Sequence, residues 1–182
     1  HIARYFGDPA ECFSEVSEPD IPLQVVVVKP RKKHDYYTLL TLGMSDYALG
    51  NTHGSDGEPC RQELLINLPP DWDMNRGDWS DESRYWPVRL LLACARQAIR
   101  QRTPYEWGEV NDQTRSFCEG TKLCAAICLS PGVFGEESFT RELNAGGEVE
   151  FMQVIPLYAE ESALAAKEGV DRMLDCFPDE LL

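Results

Sequence analysis

Arg61-Gln62-Glu63-Leu64-Leu65-Ile66-Asn67-Leu68-Pro69-Pro70-Asp71-Trp72-Asp73 reads as a core strand that delivers a surface loop. Leu64, Ile66 and Leu68 fall on one face at period two, and Glu63, Leu65 and Asn67 on the other. The strand stops abruptly. Pro69 has no N–H for a ladder, and Pro70 restricts Pro69 to extended geometry. Beyond it runs an acidic, aromatic stretch, Asp71-Trp72-Asp73 through Asp78-Trp79-Ser80-Asp81-Glu82.

The chain's clearest helix follows, over about Trp86 to Arg102. Val88, Leu91, Leu92, Ala95 and Ile99 make one apolar stripe, and Arg89, Arg96 and Arg100 are expected on the opposite, solvated face. Its start has two readings. Pro87 suits the first helical position, whereas Asp81 is the better cap and would place Pro87 inside. Thr103-Pro104 ends it.

Upstream, Leu23 to Val28 is β-branched on both faces, which suits a central strand. Tyr36 to Leu42 reads as its hairpin partner across the basic turn Lys29-Pro30-Arg31-Lys32-Lys33. Ile2, Tyr5 and Phe6 have helical spacing, closed by Gly7. Residues 46–60 are polar and Gly-rich and read as a long surface loop. Downstream, residues 104–122 read as irregular. Leu123 to Leu129 and Glu148 to Leu157 are two further strands. Ala163, Ala166, Val170, Met173, Leu174 and Phe177 mark a last amphipathic helix, with Ser162 as its expected cap. Strands come in runs rather than alternating singly with helices. That order favours a single α+β domain over residues 1–182, with a mostly antiparallel or mixed sheet of about five strands flanked by helices.

Composition narrows the function classes. Across 182 residues the hydrophobic share is 43% and the charged share 26%, ordinary for a globular domain. No apolar run reaches the ~20 residues of a membrane helix. No signal peptide is visible, although the chain begins at His1. The net charge of −14 argues against direct nucleic-acid binding, which needs Lys and Arg at phosphates, and suits a basic protein partner. Seven cysteines, lying mostly inside apolar segments and without a Cys-x-x-Cys pair, read as buried reduced thiols of a cytosolic protein.

Catalytic and cofactor signatures do not emerge. The chain has no Gly-x-Ser-x-Gly, His-Glu-x-x-His, Walker loop or dinucleotide fingerprint. His53 and Asp56, in Asn51-Thr52-His53-Gly54-Ser55-Asp56, lack metal-ligand spacing, so no metal is expected there. The expectation is no catalytic residue, no cofactor and no metal. The carboxylates Asp71, Asp73, Asp78, Asp81 and Glu82 read as a solvated loop or a binding surface. Trp72 and Trp79 shift that reading towards binding, because tryptophan is enriched at interface hot spots. Trp72, Asp73, Asp78 and Trp79 are therefore the candidate partner-binding residues.

These residues also carry a family likeness. Gly43-Met44-Ser45-Asp46, Glu63-Leu64-Leu65-Ile66-Asn67-Leu68-Pro69-Pro70-Asp71-Trp72, Tyr85-Trp86-Pro87-Val88-Arg89-Leu90-Leu91, Thr121-Lys122-Leu123-Cys124, Phe151-Met152-Gln153-Val154-Ile155-Pro156-Leu157-Tyr158-Ala159-Glu160-Glu161 and the closing Gly169-Val170-Asp171 resemble the suppressor-of-fused domain in its bacterial, single-domain form. The likeness spans about Ile2 to Phe177. One stretch departs: where the family often has Trp-x-x-x-Gly-His-Thr, this chain has Trp107-Gly108-Glu109-Val110-Asn111-Asp112. The resemblance implies a protein-binding domain rather than an enzyme. For bacterial members it implies a cytoplasmic immunity protein that neutralises a polymorphic or contact-dependent toxin by occlusion. The animal relative implies the alternative, a regulatory module that sequesters an endogenous partner such as a transcription factor.

Overall fold

A computed structural model of the chain describes residues 1–14, 19–50, 59–74, 81–144 and 146–177. Among the described residues eight strands form one sheet: β1 (Pro9–Ser14), β2 (Gln24–Val28), β3 (Tyr37–Leu42), β4 (Gln62–Leu68), β5 (Glu109–Asp112), β6 (Leu123–Leu129), β7 (Thr140–Glu142) and β8 (Glu148–Tyr158). Their order is β1-β2-β3-β4-β8-β6-β5, with β7 also on β8. β4 and β8 run parallel, and every other pair is antiparallel. The helices are α1 (Ile2–Tyr5), α2 (Glu82–Gln101), α3 (Ala159–Glu168) and α4 (Val170–Leu174). This is the expected α+β arrangement with a mixed sheet, but with eight strands rather than about five.

The extra strands are those with little apolar patterning. β1 has only Phe13 buried and its register shifts near its start. β5 lies within the stretch read as irregular; it ends the sheet on the far side and is polar. β7 is three exposed residues long. Each is held by its neighbour's ladder rather than by its own burial.

Both faces of the sheet are covered. Leu64, Ile66 and Leu68 of β4, with Val25, Val27, Leu39, Met152 and Val154, pack with α2 into the larger core. Leu65 faces the other way, where Val26, Val28, Leu40 and Phe151 pack with Phe6. Further along that second face, α3 and α4 lay Ala165 and Met173 on Ala125, Ile127 and Leu157. The period-two split of β4 is thus a split between two cores.

Asp81 is the cap of α2. Its carboxylate accepts from the Ser83 backbone N–H at 2.9 Å, and Pro87 lies inside the helix, buried. Burial on α2 extends beyond the expected stripe. Trp86, Leu90, Cys94 and Ala98 are buried too, and so is Arg96, at 5% exposure. Arg96 is therefore not on a solvated face. The segment after α2 folds back onto the helix's first turns: Phe117 stacks on Trp86 with ring centres 5.3 Å apart, and its carbonyl accepts from Arg89.

The last helix differs from its expectation as well. It is two helices broken at Gly169, whose φ of +93° favours glycine. α3 starts earlier than expected, where Glu161 accepts from the Tyr158 backbone N–H at 2.7 Å. Ser162 is not a cap. It is buried within α3 and donates to Asp112 of β5 at 3.1 Å.

All seven cysteines are free. Cys94, Cys124 and Cys128 are buried as expected, Cys60 and Cys118 are partly buried, and Cys12 and Cys176 are exposed, the last although it reads as lying in an apolar segment. Among the described residues no helix is long and apolar enough to cross a membrane.

Candidate partner-binding surface

The candidate surface begins where β4 ends. Pro69 closes a tight turn, its carbonyl accepting from the Trp72 backbone N–H at 3.0 Å. This turn aims Trp72 back at the protein. Its ring meets Trp86 edge-to-face with centres 6.0 Å apart, and its indole N–H donates to the Arg84 carbonyl at 3.2 Å. Trp72 is half-buried, packed against the larger core. It is the first of an aromatic row, Trp72, Trp86 and Phe117, along one flank of α2.

Asp73 is exposed and pairs with Arg84 at 2.6 Å, and Arg84 also reaches Asp81 at 3.1 Å. Hydrogen bonds from the Ser83 hydroxyl and backbone, helped by the nearby Arg84 charge, hold the Asp81 carboxyl below its ordinary range. One arginine thus ties the loop after β4 to the first turn of α2. Such exposed pairs each contribute little to stability; here they tie Asp73 to the start of α2. Asp78 and Trp79, the other two candidates, lie outside the described residues, as do His53 and Asp56 of the candidate metal loop. Among the described residues there is no cluster of three or more metal-ligating side chains.

Sequence reasoning missed the polar anchor at the opposite end of β4. Glu63 is 3% exposed. It accepts from the Thr41 hydroxyl at 2.6 Å, from the Gly43 and Ser45 backbone N–H groups at 3.0 Å each, and from the Ser45 hydroxyl at 2.7 Å. Burial pushes its carboxyl pKa up, against the pull of those donors. The Arg61 guanidinium donates to the Ser45 carbonyl at 2.6 Å, from the same stretch of strand. Gln62 does similar work on the other side, donating to the Tyr105 carbonyl and to Glu150, both at 2.8 Å. The signal was present in sequence: three consecutive polar residues at the start of a strand with an otherwise apolar run.

A buried carboxylate saturated with donors on a turn is a structural clamp. The end of the sheet beyond Leu68 presents exposed carboxylates at Asp71 and Asp73 beside the aromatic row of Trp72, Trp86 and Phe117.

Comparisons with known proteins place the chain in a family. The family model described as suppressor of fused protein (SUFU) matches residues 19–180. An uncharacterized protein of Ureaplasma parvum serovar 3 is 25% identical over 148 residues, covering 81% of this chain and 70% of the relative. Among solved structures, a SUFU homologue from Neisseria gonorrhoeae aligns with a TM-score of 0.67 at 14% identity, covering 96% of this chain and 83% of that one. The Sufu–Fu complex aligns with a TM-score of 0.65 at 13% identity, covering 96% and 78%. Drosophila Suppressor of Fused gives 0.57 at 15% identity, covering 86% of this chain but 38% of that one. At these identities the structural likeness speaks for the fold alone, while the family model, spanning nearly all of the sequence, shows that the chain belongs to the suppressor of fused family.

Proposed function

We propose that this domain is a non-catalytic, cytoplasmic protein-binding module that acts as an immunity protein, neutralising a basic toxin domain by covering its working surface. The observation that carries the reading is membership of the suppressor of fused family, in which a relative is solved in complex with the protein Fu. The net charge of −14 supports a cationic partner through long-range steering. The contact surface in this reading is the stretch after β4, with Trp72, Asp73, Asp78 and Trp79. Trp72 supports it from behind, since its ring is turned towards Trp86.

The test is capture from the native cell followed by mass spectrometry, then co-expression with the captured protein. A basic toxin domain that arrests growth alone and is silenced by this chain is the expected result. Capture of a non-toxic endogenous regulator would instead favour sequestration, the reading suggested by the Fu complex.

A further inference from the structure

Arg89, Arg96 and Arg100 of α2 recur at i, i+7 and i+11, so they fall in one line along the helix, about 16 Å from first to last. That line is one wall of a groove of about 670 Å³, which Gln97 and Gln113 also border, the latter from the segment that follows β5. Ala93 is exposed and small and lets a ligand come close to the helix backbone. Towards the start of α2 the groove runs into a second hollow of about 300 Å³. The two share Arg89, Ala93 and Gln113, and the second adds Arg115 and the stacked rings of Trp86 and Phe117.

The groove reverses the charge of the chain. Four of the 17 Lys and Arg residues line the two hollows, and among the described residues no Asp or Glu does, although the chain has 31 of them. Around this site the protein is acidic, with a net charge of −14, so the groove is a local cationic patch. Arg89 is held in place: its guanidinium donates to the Phe117 carbonyl at 3.0 Å and pairs with Glu82, which does not line the groove. Arg96 is fixed by packing at 5% exposure, whereas Arg100 and Arg115 are exposed. Arg96 and Arg100 stand at i and i+4, where like charges repel. A carboxylate between them turns that repulsion into attraction, and the guanidinium fork matches a carboxylate edge. Carboxylates at alternate positions of an extended chain lie on one side about 6.6 Å apart, close to the rise of about 6 Å from Arg96 to Arg100. Gln97 and Gln113 offer primary amides, each a donor and an acceptor for a peptide unit. A long polyanion such as nucleic acid meets the repulsion of the whole chain; a short acidic segment on an otherwise basic protein does not.

We propose that the groove along α2 binds a short, extended acidic segment of the protein partner, with its carboxylates on Arg96, Arg100 and Arg115 and one apolar side chain against Trp86 and Phe117. This deepens the protein-binding reading and rests on it. Trp86 and Phe117 also belong to the aromatic row that begins at Trp72, so the groove and the acidic stretch after β4 flank the same row. A partner with a basic patch and an acidic segment then docks in one orientation, because the reversed pose sets like charges against each other.

The experiment uses the intact protein and blocked peptides, so it does not depend on the partner's identity. Calorimetry at low salt measures acetyl-Leu-Glu-Ala-Glu-Ala-Glu-amide, its counterpart with Gln in place of Glu, and inorganic phosphate. One-site binding of the Glu peptide is expected, about tenfold tighter than that of the Gln peptide or phosphate, and weakening as salt rises. Arg100→Gln with Arg115→Gln, both at exposed positions, should weaken the Glu peptide about tenfold with an unchanged thermal midpoint. Lys167→Gln, on α3, should leave it unchanged. In the wild type, the Nε–H resonances of Arg89 and Arg96 should shift with the same saturation by NMR, a readout that needs no variant. Equal binding of the Gln peptide, wild-type affinity in the folded double variant, no shift at Arg96, or displacement of the peptide by an equal concentration of phosphate would overturn the proposal, the last by making the groove a small-anion site. Those results would leave partner capture untouched, and failure to capture a toxin would leave these titrations unaffected.

Discussion

Trp72 donates its indole N–H to the backbone carbonyl of Arg84 at 3.2 Å, bridging the loop after β4 to the first turns of α2. The same arginine's side chain pairs with Asp73. The loop is thus held by one neutral and one ionic link to a single residue. Trp72→Phe keeps the ring against Trp86 and loses the hydrogen bond, and should destabilise by about 1 kcal/mol. Trp72→Ala also removes the aromatic contact and should destabilise by about 2–3 kcal/mol. Urea denaturation of the two variants measures both, and equal losses would show that the ring contributes nothing beyond its N–H.

The burial around α2 makes a second prediction. Leu91 is fully enclosed, so Leu91→Ala should destabilise by about 2–5 kcal/mol. Arg96, placed on a solvated face by its spacing, is buried, so Arg96→Ala should destabilise by about 2 kcal/mol through lost packing of its stem. Gln101→Ala, exposed at the helix end, should stay within about 0.5 kcal/mol. Chemical denaturation checks the ranking; an Arg96→Ala loss as small as that of Gln101→Ala would return Arg96 to the surface.

This helix also shows how far sequence reaches. The strands β2, β3, β4, β6 and β8 announce themselves because each carries apolar residues on both faces or on alternate positions. The edge elements β1 and β5 do not, since a strand held by one neighbour needs few buried side chains. The same limit applies to Arg96: period 3.6 locates one buried face but cannot foresee which further positions the rest of the chain covers. At the candidate surface, Pro69-Pro70 marked the strand end from sequence alone. The inward turn of Trp72 depends on Trp86 and Arg84, which meet it only in space, and the role of Glu63 depends on Thr41, Gly43 and Ser45 in the neighbouring strand and turn.

His34 supplies a pH dependence. Its ring is buried against Phe134 at 4.9 Å, with Tyr36 Oη at 2.7 Å from Nδ1. Burial, then the charges of Arg31 and Lys33, lower its pKa from 6.5. The unfolded chain therefore takes up the proton at higher pH than the native state. Stability from neutral His34 is fully present above pH 6.5 and is lost as pH falls through the lowered native value. Glu63, whose carboxyl is raised, works in the opposite sense. The difference in denaturation free energy between wild type and His34→Gln cancels that contribution. It should shrink as pH falls from 7 through 5, and a difference that stays constant would mean the ring titrates as freely as in the unfolded chain.

Thiol reactivity should follow burial. Exposed Cys12 and Cys176 should alkylate first in the native protein. Cys94 should resist until unfolding, because burial pushes its thiol up to about 11, and Cys128 should resist likewise, its thiol raised by burial. Peptide mapping after timed iodoacetamide treatment gives the order. Unfolding without reductant should then give seven labels; fewer would reveal a disulfide.

We propose that the stretch after β4 is the partner-binding surface, and surface plasmon resonance against the captured partner decides it. Circular dichroism first confirms that each variant is folded. Asp73→Asn with Asp78→Asn should slow association, and the slowing should shrink as salt rises. Trp79→Ala should chiefly speed dissociation, by on the order of 2 kcal/mol, or about 30-fold. Wild-type association and dissociation rates from both folded variants would contradict the account and place the binding surface elsewhere on the domain.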